Sequence, residues 1–370
     1  KKHSPKQIRQ VANSIKRFGF VQPLVIDKNN EIVIGHCRAE AAKLLGLTEV
    51  PYISVENLSD EEVKALRLAD NKLNESEWDL NLAIEELKGL SEEMFDLTGF
   101  DKDLLIEPDE KDDLIPENVP PVSKIGDLYE LGKHRVLCGD STKKEDVERL
   151  MNGKKADMVF TDPPYGVNMS RSLVSGKDNT IKNDSLDGLD LLLENAFQNA
   201  SLVSKQNVPL YCWIGFRAYS IAESVINKIW KINNCIVWKK PSIGLGGKGF
   251  RLQHELCIFS GNIEDKSQSD VWELNRDKSG LHPTMKPVDL IVKALSLSSK
   301  EDDICLDLFL GSGSTLIAAQ KTGRICYGIE LDPRYTDVIV QRYCDFVGNY
   351  DIIKNGKKIK WQNQPEKQNE

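Results

Sequence analysis

The 370-residue chain has no apolar run approaching about 18 residues and no charged-then-apolar leader. Neither a membrane span nor secretion is therefore expected, and a cytoplasmic location is. Cys-x-x-Cys pairs are also missing. The eight cysteines, Cys37, Cys138, Cys212, Cys235, Cys257, Cys305, Cys326 and Cys344, stand singly, mostly in apolar strand-like runs. They read as reduced, buried residues and exclude a disulfide framework or a thiolate metal site. The five histidines gather no ligand cluster around them, so no metal is expected. No internal repeat or low-complexity tract stands out.

What is present is length enough for two cores and an uneven charge. The net charge of -8 argues against a polyanion partner until the chain is divided. Residues 1–120 hold about 15 Lys and Arg against about 25 Asp and Glu, leaving about 34 against 32 in the rest. The acidity thus belongs to the N-terminal part, and the remainder is free to carry a local basic groove. Between the two lies 107–123, EPDEKDDLIPENVPPVS, acidic, rich in proline and without periodicity. That composition predicts a linker, and the expected division is an N-terminal domain over 1–106, a linker over 107–125 and a C-terminal domain over 126–370.

In the N-terminal part, periodicity predicts a helix over 5–18, two short strands over 20–33 joined by Asp27-Lys28-Asn29-Asn30, a helix over 38–45 and a strand over 50–55. From Gly126 onward strands and helices alternate. Strands are expected over 127–131, 135–138, 158–161, 209–214, 235–239, 256–259, 304–309 and 325–329. Helices are expected over 144–151, 189–203, 217–229, 288–297, 315–321 and 333–346. Such alternation predicts an α/β fold with a doubly wound, mostly parallel sheet, whose ligands lie at the carboxyl ends of the strands.

Two strand ends carry the chemistry. Val159-Phe160-Thr161 runs into Asp162-Pro163-Pro164-Tyr165-Gly166, where the prolines fix φ, remove N–H groups and stop the strand. Asp162, the Pro163 carbonyl and the Tyr165 ring are then acceptors for an exocyclic amine plus a stacking face for a flat base. The second is Ile304-Cys305-Leu306-Asp307-Leu308-Phe309-Leu310-Gly311-Ser312-Gly313-Ser314-Thr315, a buried strand entering a glycine turn that opens a helix, where a nucleotide-like cofactor sits. Gly311 and Gly313 permit close backbone approach, and Glu330 ends the next strand, placed to accept ribose hydroxyls.

Together these motifs resemble the amino-methyltransferases of DNA. The order, catalytic motif before cofactor motif, matches their circularly permuted beta class. The resemblance runs over roughly 126–348 and includes Leu137-Cys138-Gly139-Asp140, His254-Glu255 and His282-Pro283-Thr284-Met285-Lys286-Pro287. It implies the S-adenosylmethionine-dependent methyltransferase fold, S-adenosyl-L-methionine as cofactor and double-stranded DNA as partner. By resemblance, Asp140 lies near the adenine of the cofactor, and Asp307 and Phe309 border its methionine and sulfonium region. Thr284 and Lys286 hold its amino-acid end, and Asp162, Ser314 and Thr315 complete the site. Beta-class enzymes are often dimers, so a homodimer is expected. Enzymes that methylate carbon 5 of cytosine resemble one another in a Pro-Cys nucleophile, and no cysteine here follows a proline.

Residues 3–105 resemble the ParB-like N-terminal domain, a small α+β fold found in partition proteins and fused to some phage and prophage methyltransferases. Gly35 and Arg38 match its phosphate-contacting turn. His36-Cys37 replace a more charged pair, and Asp70-Asn71 replace a Glu-Asn. A retained cytidine nucleotide site at Gly35, Arg38 and Asn71 and a domain serving only DNA contact, dimerisation or positioning both stay open.

The implied reaction draws the amine lone pair out of ring conjugation through Asp162 and the Pro163 carbonyl, with Tyr165 stacking on a flipped base. An Asp at 162 favours adenine N6, with cytosine N4 as the alternative. A reading of another class is a partition-like DNA-binding module with an inactive methyltransferase domain, and a protein-glutamine or RNA substrate is a third. The target-recognition segment is short, about 261–281, with Trp272 and Arg276. A short or relaxed DNA target is therefore expected. Arg171, Lys177 and Lys182 of the loop after the catalytic motif, with Lys240, Arg251 and Arg276, are the candidate DNA contacts.

Overall fold

The protein is described by a computed structural model covering residues 5–73, 80–100, 102–107, 109–116, 119–164, 187–240, 250–263, 268–274 and 286–361. It forms two compact units, Lys1–Ile106 and Glu107–Glu370.

In the first unit, α1 (Pro5–Phe18) packs on α2 (His36–Leu44), and β1 (Leu24–Ile26) runs antiparallel to β2 (Ile32–Ile34) and parallel to β3 (Tyr52–Ser54). The turn between β1 and β2 is shaped by Asp27, whose Oδ1 accepts the Asn29 and Glu31 N–H groups at 2.8 and 2.9 Å. Three helices follow, α3 (Asp60–Leu73), α4 (Leu80–Lys88) and α5 (Glu92–Thr98), the last capped by the Ser91 hydroxyl and closed by Gly99 in the left-handed region. Ala12, Leu24, Val33, Ala41, Val63, Leu87 and Phe95 are buried.

In the second unit the strands are β4 (Leu128–Leu131), β5 (His134–Cys138), β6 (Met158–Thr161), β7 (Leu210–Ile214), β8 (Ile232–Lys239), β9 (His254–Ser260), β10 (Val271–Glu273), β11 (Ile304–Asp307), β12 (Ile325–Glu330), β13 (Asp351–Lys354) and β14 (Lys357–Lys360). They form one mixed sheet in the order β10-β8-β9-β7-β6-β11-β12-β5-β4-β13-β14. Its centre, β7-β6-β11-β12-β5, is parallel throughout, and antiparallel pairs flank it on both sides. The central strands are buried on both faces, which is why they read as unbroken apolar runs.

Side chains alternate between two cores. Met158 and Phe160 of β6 join α9 (Val288–Ser298), α10 (Ser314–Lys321) and α11 (Pro333–Val347) on one face. Val159 joins α6 (Lys144–Met151), α7 (Leu189–Val203) and α8 (Tyr219–Ile226) on the other. The result is a three-layer α/β/α unit. From β6 the chain moves to β7 on one side, whereas from β11 it moves to β12 on the other, so the strand order reverses between β6 and β11. That reversal opens a crevice at the carboxyl ends of these two strands.

Besides α3 to α5 and β10, which were not expected, three features depart from the expected pattern. The strand expected over 304–309 stops at Asp307, because Asp307 Oδ1 accepts the Phe309 N–H and pulls the chain into the turn. The β13–β14 hairpin turns on Asn355 and Gly356, both with positive φ, the Asn-Gly signature of a two-residue turn. Finally, the stretch read as a linker is docked on the second unit: Asp112 and Asp113 are buried, and Asp337 of α11 accepts the Val122 and Ser123 N–H groups at 2.9 Å each.

Candidate active site

Asp162 leaves β6 directly into Pro163, and Asp307 ends β11, so the two motifs meet at the crevice. A hydrogen bond joins them across the strand pair, Thr161 Oγ1 donating to Asp307 Oδ1 at 3.1 Å. Asp307 is buried and also accepts from Thr315 Oγ1 at 2.6 Å and the Phe309 N–H at 3.1 Å. Burial pushes its carboxyl up to about 6, even though these donors favour the ionised form. Asp307 is thus a hub tying the catalytic strand to the glycine turn and to the first residues of α10.

The turn itself needs its glycines. Gly311 has φ +55° and Gly313 φ +86°, values that side-chain-bearing residues adopt at a cost. A Cβ on Gly313 would press on Ile339, whereas one on Gly311 would meet no atom within 4 Å, so Gly311 faces open space. Gly328 of β12 has another reason: a Cβ there would lie 2.5 Å from Leu310 Cδ2, so its absence lets the turn settle onto the sheet. Glu330 closes the crevice, its Oε2 accepting the Gly311 N–H and its Oε1 the Asp332 N–H, both at 2.8 Å. Burial of this carboxyl pushes its pKa up to about 7 against those two donors. Asp140 follows β5, the strand paired with β12, and its Oδ1 accepts from the Thr142 N–H and hydroxyl at 3.0 and 2.7 Å.

Behind Asp162 runs a chain of alternating charges. Lys286 is only 4% exposed, and its Nζ lies 2.7 Å from Asp162 Oδ2 and 2.8 Å from Glu255 Oε2. Glu255 also pairs with Lys240, whose ammonium sits over the Trp238 ring. Burial opposes the Lys286 charge, yet Asp162 and Glu255 hold its pKa well above the ordinary lysine value. Burial likewise opposes the Glu255 charge, but Lys286 and Lys240 outweigh it and draw the pKa down to about 2. Trp213 walls the site, with Lys286 Nζ 6.0 Å from its ring centroid.

Of the residues singled out from the sequence, Asp140, Asp162, Pro163, Lys286, Asp307, Phe309, Gly311, Gly313, Ser314, Thr315 and Glu330 are described, all at or beside the carboxyl ends of the central strands. Tyr165, Thr284, Arg171, Lys177, Lys182 and Arg276 lie outside the described residues, as does the Asn71 side chain. Arg251 is exposed, while Lys240 is engaged with Glu255 inside the site. Trp272 is buried in the core on β10, its indole N–H donating to the Ser269 carbonyl at 3.1 Å, so it does not face a base. In the first unit, Gly35 (φ +99°) opens α2, and Arg38 folds back so that its Nη2 lies 3.1 Å from where a Gly35 Cβ would stand. Sequence reasoning missed Glu255 and Thr161 as members of the site. Glu255 figures there only as half of the His254-Glu255 resemblance and is given no role; Thr161 leaves no trace.

The DNA methylase family model matches residues 156–262 and 258–341, and the ParB N-terminal domain model matches residues 1–72. The chain is 27% identical over 237 residues to the type II methyltransferase M2.MboI of Moraxella bovis, spanning 55% of this chain and 85% of that protein. It is 26% identical over 256 residues to the type II methyltransferase M.HinfI of Haemophilus influenzae, spanning 59% and 70%. The crystal structure of the M1.HpyAVI–SAM complex is 19% identical, with a TM-score of 0.42 over 56% of this chain and 96% of that one.

Removing one member of a buried charge chain strands its partners. Glu255→Gln is expected to cost about 3 kcal/mol of unfolding free energy, measured by urea denaturation. Glu255 is depressed from an ordinary 4.5 to about 2, so its contribution is complete above the higher value and is lost as pH falls towards the lower. The wild-type chain therefore loses stability through that acid window by a component that the variant lacks.

Proposed function

The chain belongs to the DNA methylase family, and from that premise we propose that its second unit methylates the exocyclic amine of a base flipped out of DNA, adenine N6 being the acceptor. The observation that carries this reading is the meeting of Asp162 with the glycine turn at one sheet crevice, joined by the Thr161–Asp307 hydrogen bond. The cofactor residues fit a nucleoside-bearing cofactor: open space over Gly311, a carboxylate at Glu330 and a second at Asp140, all on one edge of the sheet. When bound, S-adenosylmethionine supplies an electrophilic methyl group on its sulfonium.

The protein's own residues do the rest. Asp162 and the Pro163 carbonyl accept the two amine hydrogens and stabilise positive charge as it develops on nitrogen, with no covalent intermediate. Lys286, expected by resemblance at the amino-acid end of the cofactor, is instead committed to Glu255 and Asp162, where it holds Asp162 Oδ2 in place and fixes which way the carboxylate faces. Glu255 and Lys240 in turn neutralise and orient Lys286. Glu330 accepts ribose hydroxyls from the end of β12, and the helix start at Ser314 and Thr315 lends N–H groups. Tyr165 follows the two prolines and supplies the stacking face. Asp at 162, in the Asp-Pro-Pro-Tyr motif, is what supports adenine over cytosine.

Asp162→Ala is expected to lower methyl transfer by at least about 1,000-fold while leaving S-adenosylmethionine binding within a few-fold, as seen by calorimetry. Mass spectrometry of nucleosides from treated, unmethylated DNA should show N6-methyladenine. N4-methylcytosine would reject the acceptor assignment, and loss of cofactor binding in the variant would reject the role of Asp162.

The raised Glu330 pKa sets a second expectation. Only the ionised carboxylate accepts from two hydroxyls, so cofactor affinity should be level above the pKa of about 7 and fall as pH drops below it. The limiting slope is about tenfold per pH unit. Glu330→Gln should bind more weakly and flatten this component; a variant with the wild-type pH profile would remove the assignment.

In the first unit, Gly35 and Arg38 present a helix N-terminus and a guanidinium together, which supports a phosphate of a cytidine nucleotide as ligand. Arg38→Ala should weaken cytidine triphosphate binding about tenfold or more by calorimetry. Equal binding in the two proteins, or none in the wild type, would remove this reading.

A further inference from the structure

The acidic stretch that opens the second unit makes contacts that a tether does not need. Its Asp112 and Asp113 are both buried, and they reach the two halves of the candidate active site by separate routes. On one route, Arg342 of α11 spreads its guanidinium between the stretch and the glycine turn. Nη2 donates to the Asp112 carbonyl at 2.7 Å and Nη1 to the Ser312 carbonyl at 2.9 Å. The Asp112 carboxylate meanwhile pairs with Lys321 at the end of α10, which also donates to the Glu107 carbonyl at 2.7 Å. On the other route, Asp113 Oδ1 accepts the Val288 N–H at 2.8 Å, at the start of α9 and two residues after Lys286.

Each contact falls where the chain is otherwise free to move. Ser312 sits between Gly311 and Gly313, both at positive φ, so its peptide is flanked by the two residues least able to hold it. The Arg342 fork fixes that carbonyl. Val288 follows Pro287 at a helix start whose first N–H groups have no intrahelical acceptor, and Asp113 supplies one. Burial lowers the Arg342 pKa to about 10, with Asp112 opposing the shift, so the residue stays charged at neutral pH.

We propose that the segment containing Asp112 and Asp113 is a clasp built into the active site: Asp112, through Arg342, positions the cofactor turn, and Asp113, through the start of α9, positions Lys286 against Asp162. These are positioning residues for the proposed reaction, and the inference rests on the cofactor reading of the turn. Because the clasp holds the Ser312 carbonyl inside the turn read as the cofactor's, the two are linked: the cofactor tightens the clasp and loosening the clasp weakens the cofactor.

The test uses the full chain, with S-adenosylmethionine as the probe. Arg342→Lys keeps a charge but loses the fork; it should raise the cofactor KM about tenfold with kcat within about twofold. Asp113→Ala should do the reverse, lowering kcat about tenfold with KM within about twofold, and Asp113→Asn should restore it because its amide oxygen accepts the same N–H. Hydrogen exchange in the wild-type chain provides a reading that no variant's folding can spoil: amides of residues 109–123 should exchange more slowly when the cofactor is added. Variants with unchanged kinetics, a loss in both that Asp113→Asn does not restore, or exchange indifferent to cofactor would each overturn the clasp. Wild-type protein that binds no S-adenosylmethionine would overturn the cofactor reading, and the clasp with it.

Discussion

The buried ammonium of Lys286 is the interaction on which the Asp162 side of the crevice depends. A lone charge in that position would not stay ionised in a folded interior. It does so because Asp162 and Glu255 approach to 2.7 and 2.8 Å, and Glu255 is itself balanced by Lys240. The four groups sum to zero charge, so the cluster tolerates burial. The arrangement is costly and directional. Lys286 comes from the loop before α9, Glu255 from β9 and Asp162 from the residue after β6, so the cluster forms only where these three segments pack together.

A second hub, Asp307, does for the glycine-turn side of the crevice what Lys286 does for the Asp162 side. Its carboxylate binds β6 through Thr161, the turn through Phe309 and the helix through Thr315. Both hubs lie at the reversal of strand order between β6 and β11, where two neighbouring strands send their connections apart and leave a gap. Chain order and spatial order differ there. The catalytic strand precedes the cofactor strand by well over a hundred residues, yet Thr161 and Asp307 share a hydrogen bond. Raised carboxyl pKa values at Asp307 and Glu330 are the electrostatic sign of the same crevice: carboxylates confined beside one another and short of water.

Much of this was legible along the chain because the central strands are short, apolar and bounded by strong punctuation. Pro163-Pro164 ends β6, Gly311 and Gly313 shape the turn between β11 and α10, and Asp332-Pro333 starts α11 with Gly348 closing it. The helices of both cores followed from their periodicity. The β13–β14 hairpin was present in its Asn355-Gly356 signature although composition around it is basic and exposed. The helices α3 to α5 carry weaker patterns and belong to a small unit in which half of the described buried apolar residues are alanine. β10 is three residues long, and its Trp272 belongs to the core because the neighbouring strand β8 draws it inward.

Sequence alone determined the fold class, the motif pair, the glycines of the turn after β11 and the carboxylates that end β11 and β12, since each is written in neighbouring residues whose local geometry is their own property. Tertiary structure decided the partners. That Lys286 faces Asp162, that Glu255 and Lys240 belong to the same site, and that an acidic, proline-rich stretch docks through Asp112 and Asp113 on α9, α10 and α11 depend on charges finding one another across long separations. Composition identifies a charged residue, but burial and distance, which exist only once the sheet has closed around it, determine whether it is a solvated surface group or the counterion of a buried carboxylate.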